Sequence, residues 1–127
     1  MNSINYIPNF DEFLNERALF TQPKKVIGNP YGVGDLLVAE FDFKYPMNWE
    51  EATHYCSVLG DGWRLPTKQE YERVLSGNVK NWKRINKYWT STEYSVLHAY
   101  SYDLQRKSTF GETKDTWNSV RAVKDNE

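Results

Sequence analysis

The chain is poor in cysteine, in long apolar runs and in excess charge of either sign, and each shortage excludes something. Cys56 is the only cysteine among the 127 residues, so no internal disulfide can form, and a reducing compartment is the simplest expectation. No apolar run approaches the roughly 18–20 residues that cross a bilayer as a helix, so membrane insertion is not expected. The first twenty residues lack a basic segment followed by an apolar one, so they do not read as a secretory signal, and a cytoplasmic location is expected for the chain as given. Formal net charge is −1, which supplies no overall field to draw in nucleic acid or anionic lipid. Neither a Gly-Lys-Ser/Thr phosphate loop nor a GxGxxG pattern occurs, although Gly28 to Gly34 is rich in turn residues.

Aromatics are plentiful. They make up 16% of residues, with nine Tyr and five Trp, enough to build a small core and leave some for recognition. With 39% hydrophobic and 26% charged residues, the composition is that of one folded domain.

The central stretch is Leu59-Gly60-Asp61-Gly62-Trp63-Arg64-Leu65-Pro66-Thr67. Gly60 and Gly62 permit a reversal after a helix. Trp63 and Leu65 then share one face of an extended segment, with Arg64 on the other. Pro66 keeps Leu65 extended, and Thr67 with Glu70 has the spacing of a capping box. Upstream, Asn48 caps a helix whose Trp49, Ala52, Cys56 and Leu59 mark one face. Downstream, Lys68 to Ser76 is a second helix, with Tyr71, Val74 and Leu75 on one side and Gly77 as its terminator. A further amphipathic helix is expected over Phe10 to Phe20, as a packed edge element or an oligomerisation arm. Leu36 to Phe43 reads as a strand, with Leu37, Ala39, Phe41 and Phe43 on one face; so do Tyr88 to Thr92, Ala99 to Leu104 and Ser119 to Val123. Gly111 falls in a polar connector, and the basic run Lys80 to Lys87 around Trp82 reads as a solvated loop. The order of elements argues α+β with an antiparallel sheet.

Met47 to Ala52, Cys56, Leu59 to Thr67, Tyr88 to Glu93 and Val120 to Val123 resemble a bacterial C-type-lectin-like domain with a Gly-Trp-Arg-Leu-Pro-Thr signature. That family has no assigned function. It occurs at the C-terminus of collagen-like adhesins and looks related to formylglycine-generating (sulfatase-modifying) proteins and to the variable proteins of diversity-generating retroelements. The resemblance covers roughly Val26 to Asp125. It implies a C-type-lectin-like fold of two short helices on a twisted antiparallel sheet, preceded by an N-terminal helical arm over residues 1–25. Trp49, Trp63, Arg64, Pro66, Thr67, Trp89 and Arg121 are then scaffold, with Arg64 or Arg121 holding a carboxylate such as Glu70 or Glu93.

A calcium lectin site would need a Glu-Pro-Asn loop and a Trp-Asn-Asp run. Glu-Pro-Asn is absent, and Ser119 follows Trp117-Asn118 where the aspartate would stand, so no cofactor is expected, with calcium the lesser alternative. Cysteine chemistry of the sulfatase-modifying kind is not expected either, because Cys56 lies on an apolar helix face. His54 and Cys56 point to different helix faces and His98 is remote, which argues against zinc. No nucleophile elbow is present, so the chain does not read as an enzyme.

What remains is the aromatic and polar region Tyr94 to Asn118. In the retroelement-diversified relatives the corresponding strands and loops display the ligand surface. The resemblance therefore makes Tyr94, His98, Tyr100, Tyr102, Gln105, Lys107, Phe110, Trp117 and Asn118 the candidate contacts for a protein or glycan ligand. Packing of Tyr100, Tyr102 and Leu104 into the core is the competing expectation for those strand residues. The alternatives are a structural or assembly subunit, phage-like or surface-bound, using the N-terminal helix to form a homo-oligomer, and a less expected enzyme of the sulfatase-modifying fold.

Overall fold

The computed structural model describes residues 26–126. The expected N-terminal helix and arm lie outside them. Eight elements follow in order: β1 (Tyr31–Val33), β2 (Leu36–Val38), α1 (Trp49–Val58), α2 (Lys68–Ser76), β3 (Lys87–Glu93), β4 (His98–Asp103), β5 (Ser108–Thr113) and β6 (Val123–Asp125). The strands form two antiparallel sheets, β1-β2-β6 and β3-β4-β5, each of three strands.

Both helices begin as their sequences dictate. Asn48 accepts from the Glu51 amide at 2.8 Å while Glu51 returns a carboxylate to the Asn48 amide, and Thr67 and Glu70 repeat the arrangement. Each box satisfies amides that a bare helix end leaves unpaired. Gly60 and Gly62 adopt φ of 79° and 87°, which turns the chain out of α1. Gly77 does end α2, but by a different means from a left-handed cap: its φ is −81°, and a Cβ there would sit 2.9 Å from Cγ2 of Val33. Close packing against β1 is what requires the glycine.

Arg64 explains the central stretch. Its backbone exchanges two 2.8 Å bonds with Val123, the first residue of β6. Its guanidinium grips Glu70 in a fork (2.8 and 3.0 Å) and reaches Asp125 at 2.9 Å. The cap of α2 is thus tied to the closing strand. Arg121 holds neither Glu70 nor Glu93; its partner is Asp42, and Glu93 pairs with Lys114.

Trp89 lies at the centre of the largest core with Trp63, Leu65, Ala52, Cys56, Phe43 and Val120, while Trp49 packs partly buried against it. Indole N–H groups of Trp89 and Trp49 donate to the Met47 and Thr90 carbonyls at 2.8 and 2.9 Å, so neither indole leaves an orphaned donor in the core. A second core joins Leu36, Val38, Val74, Val79 and Val123, and a third joins Tyr71, Tyr88, Tyr102 and Leu104.

Three strand expectations need correction. The strand from Leu36 stops at Val38: beyond it, Ala39 and Phe43 donate to Ala122 and Val120, while Glu40 and Phe41 donate to Ile27 and Val26 on the other side. Alternation fails with it, since Phe41 is exposed and Asp42 turns inward to meet Arg121. Ser119 to Ala122 likewise run irregularly between the sheets, and β6 begins only at Val123. Gly111 is not in a connector but within β5, opposite Tyr100. The Tyr94 ring covers it, and a Cβ at Gly111 would overlap that ring.

Candidate functional site

The β3-β4-β5 sheet sorts the candidate residues by strand alternation. Tyr100 and Tyr102 share the face turned toward α2, together with Gly111; Ser101, Phe110 and Glu112 lie on the other. At one end of the α2 side, Tyr94 stacks on His98 (centroids 5.1 Å, planes 26° apart) and tilts against Tyr100 at 5.1 Å. Ser95 Oγ lies 2.7 Å from Nδ1 of His98, holding that ring. Lys68, from the first turn of α2, places its ammonium 4.0 Å from the Tyr100 centroid, a cation–π contact that a reading of the late strands alone does not include. Tyr94 is half exposed and Tyr100 partly so. The result is a preformed shelf of aromatic rings open to solvent.

Further along the same face the surface is concave. A shallow pocket of about 370 Å³ lies between α2 and the β4–β5 turn, bordered by Lys68, Glu72, Tyr102, Lys107 and Thr109. It shares Glu72, Tyr102 and Lys107 with a cleft of about 760 Å³ that extends toward residues 77–84. Tyr102 itself is a correction: it is buried and stacks flat on Tyr71 (5.2 Å, 11°), so it belongs to the third core and offers a ligand only its margin. Gln105 and Lys107 are exposed on a turn built by Asp103, whose carboxylate accepts from the amides of Gln105 (2.9 Å) and Arg106 (3.1 Å) and whose carbonyl accepts from Lys107 at 2.7 Å. Lys107 takes a φ of 55° to close it.

On the opposite face, Asn118 is buried and pairs through its backbone with Met47, a structural bridge and not an open contact. Its amide nitrogen lies 3.4 Å from Oε2 of Glu112, which also meets Lys87 Nζ at 3.3 Å and accepts a short bond from Ser101. Trp117, 57% exposed, and Phe110, 37% exposed, remain accessible but not on the shelf. The nine candidates therefore divide among the two faces of the sheet, the β4–β5 turn and, for Trp117, the connector after β5.

The basic run is a loop with Lys80, Lys83 and Arg84 exposed, as expected, but its backbone and Trp82 are anchored from beneath. Arg121, with no exposed side chain, donates to the carbonyls of Lys80 (3.3 Å) and Asn81 (3.0 Å), and its guanidinium lies 4.4 Å from the Trp82 centroid. Trp82 meets Tyr88 edge-on at 5.1 Å, and the Lys83 amide donates to the Tyr88 hydroxyl at 2.9 Å. That hydroxyl in turn donates to Asp42 at 2.6 Å. Burial raises the Asp42 carboxyl above its ordinary range, with Arg121 and Tyr88 pulling it back; burial and the charge of Asp42 raise the Tyr88 phenol. Cys56 is fully buried on α1 and its thiol is pushed far up by desolvation, which removes the thiolate that cysteine chemistry uses. Among the described residues no group of three or more His, Cys, Asp and Glu is placed to hold a metal ion, and no helix is long and apolar enough to cross a membrane.

No protein-family model and no curated protein matches the chain. Solved structures match it in fold. A chain of the complex between botrocetin and the A1 domain of a von Willebrand Factor mutant aligns with a TM-score of 0.58 at 11% identity, over 77% of this chain and 97% of that one. Botrocetin alone gives 0.56 at 11% identity over the same shares. EMS16, described as an antagonist of collagen receptor integrin alpha2beta1, gives 0.58 at 14% identity over 79% and 98%. With two helices and two antiparallel sheets among its described residues, and these structures as neighbours in fold, the chain has a C-type-lectin-like α+β fold.

Proposed function

We propose that the protein is a non-catalytic ligand-binding domain that meets its partner on the α2-side face of the β3-β4-β5 sheet. The observation that carries this reading is the solvent-open stack of Tyr94, His98 and Tyr100, held over Gly111 and beside Lys68. Rigid aromatic rings with polar edges give contact area at small entropic cost, and polar groups around them supply direction. A protein partner suits the shelf better than a glycan, since botrocetin is described in complex with a protein domain and EMS16 as an antagonist of a receptor. Buried Cys56 lends no support to an enzyme of the sulfatase-modifying kind.

The test is a screen of the purified domain against arrays of surface proteins and of glycans. It is repeated with the double variant Tyr94→Ala/Tyr100→Ala and with Trp117→Ala. Truncating two central aromatics of an interface should weaken the true ligand at least tenfold. A ligand whose affinity is unchanged in the double variant, with the melting temperature also unchanged, removes the shelf from consideration. Loss with Trp117→Ala instead moves the contact to the connector after β5.

A further inference from the structure

The cleft beyond the shelf carries a separate assignment. Its floor is made of Leu75, Val79, Trp82 and Leu104, whose apolar atoms belong to the second and third cores. Around it stand three exposed cations, Lys80, Arg84 and Lys107, against one carboxylate, Glu72. Among the described residues none of the three cations has a carboxylate within ion-pair distance. Asn78, Asn81 and Ser76 add neutral hydrogen-bonding groups to the wall.

Two of the cations sit on a loop that is fastened from below. Arg121 binds the carbonyls of Lys80 and Asn81; the Asn81 side chain donates to the Glu40 carbonyl at 3.3 Å, and Asn81 holds a left-handed φ of 71°. Trp82 is wedged between Tyr71, Tyr88 and Arg121. The backbone from which Lys80 and Arg84 project is thus set before any ligand arrives, which lowers the part of the ordering cost that a free loop would add.

We propose that this cleft, of about 760 Å³, binds a carboxylated (uronate-type) oligosaccharide. The guanidinium of Arg84 has the planar fork that suits a carboxylate. Side-chain amides and hydroxyls, which both donate and accept, suit sugar hydroxyls. An acidic peptide fits less well, because Leu75, Val79, Trp82 and Leu104 are buried or half-buried in the core and expose little apolar area to anchor a side chain. A nucleic acid fits less well again, since three cations facing a carboxylate make a spot of charge, not a track for successive phosphates.

The experiment is calorimetric titration of the full chain with hexagalacturonate, with neutral maltohexaose and with hexaglutamate. Hexagalacturonate is expected to bind, more weakly as salt rises, and the other two are expected to show little heat. Arg84→Gln and Lys107→Gln should each weaken it roughly tenfold, the effect of losing one charge-assisted bond, without changing the melting temperature. The shelf variant Tyr94→Ala/Tyr100→Ala should bind hexagalacturonate as the parent does, so failure here and failure of the shelf are distinguishable. No heat with hexagalacturonate, equal binding of maltohexaose, or indifference to Arg84→Gln overturns the assignment. Equal binding of hexaglutamate overturns it in favour of an acidic peptide.

Discussion

Arg121 and Asp42 stand 79 positions apart in the chain and meet at 2.7 Å, Nε to Oδ1, where the arginine side chain has no exposure to solvent. The remaining guanidinium nitrogens are spent on the carbonyls of Ala39, Lys80 and Asn81, so every nitrogen of the group has a partner. A buried ion pair is costly to form and costlier to break, because one partner left alone is an uncompensated charge.

Arg121→Met should therefore cost about 3–5 kcal/mol of stability. The loop carrying Lys80 and Arg84 loses its anchor at the same time, so near-ultraviolet dichroism from Trp82 should weaken. Urea unfolding read by far- and near-ultraviolet signals measures both. A loss below about 1 kcal/mol, the size of an exposed pair, would show that the pair is not structural.

The Arg64–Glu70 fork makes a prediction about acid. Desolvation pushes the Glu70 carboxyl up, but the hydrogen bonds from Arg64 and the Thr67 amide, with the charges of Arg64 and Arg73, outweigh it and leave the group below its ordinary range. A carboxyl with a lowered native value binds its proton more weakly in the fold than in the unfolded chain. Its contribution is full above the unfolded value of about 4.5 and is lost as pH falls through the lower native value. Glu70→Gln should cost about 1 kcal/mol at neutral pH and steadily less as pH falls through that window. Parallel pH series of urea midpoints test this; a difference between the two proteins that does not shrink in acid contradicts it.

Gly111 and Tyr94 should behave as a coupled pair. A methyl at Gly111 overlaps the Tyr94 ring. Gly111→Ala should destabilise by about 1–3 kcal/mol, the usual range for overpacking, unless the ring swings away and the shelf is lost. In a Tyr94→Ala background the same change should be nearly neutral. A double-mutant cycle measures the coupling, and strict additivity would show that the ring does not rest on Gly111.

Cys56, buried and with its thiol pushed up, should resist a thiol reagent in the native state and react only as the chain opens. Labelling rates followed across a urea series should track the unfolded fraction. Rapid labelling in buffer would place the thiol at an accessible site and restore the enzyme reading.

Part of this protein was legible residue by residue. Both helices, the Asn48 cap and the Thr67–Glu70 capping box, the Gly60–Gly62 reversal and the burial of Trp63 and Leu65 about an outward Arg64 depend on neighbours within about four positions, so spacing along the chain determined them. The candidate site was legible only as a region rich in aromatics, because strand alternation cannot say which face a helix will cover. Tyr102 looked as available as Tyr100 until α2 laid Tyr71 on it, and Lys68 reaches Tyr100 from the same helix.

Elsewhere tertiary structure decided. The strand after Val38 breaks because Asp42 is drawn in to a distant arginine, and β5 forms through a glycine because the Tyr94 ring needs that space. Gly77 owes its place to Val33 and not to a backbone angle. A basic loop keeps its cations in solvent, but its backbone is fastened by Arg121 and Trp82. Local geometry is set by backbone sterics and by amides seeking nearby acceptors, which the sequence by itself determines. Charge pairing across 79 positions and steric exclusion between elements act only after the chain has folded, so only the tertiary structure decided them.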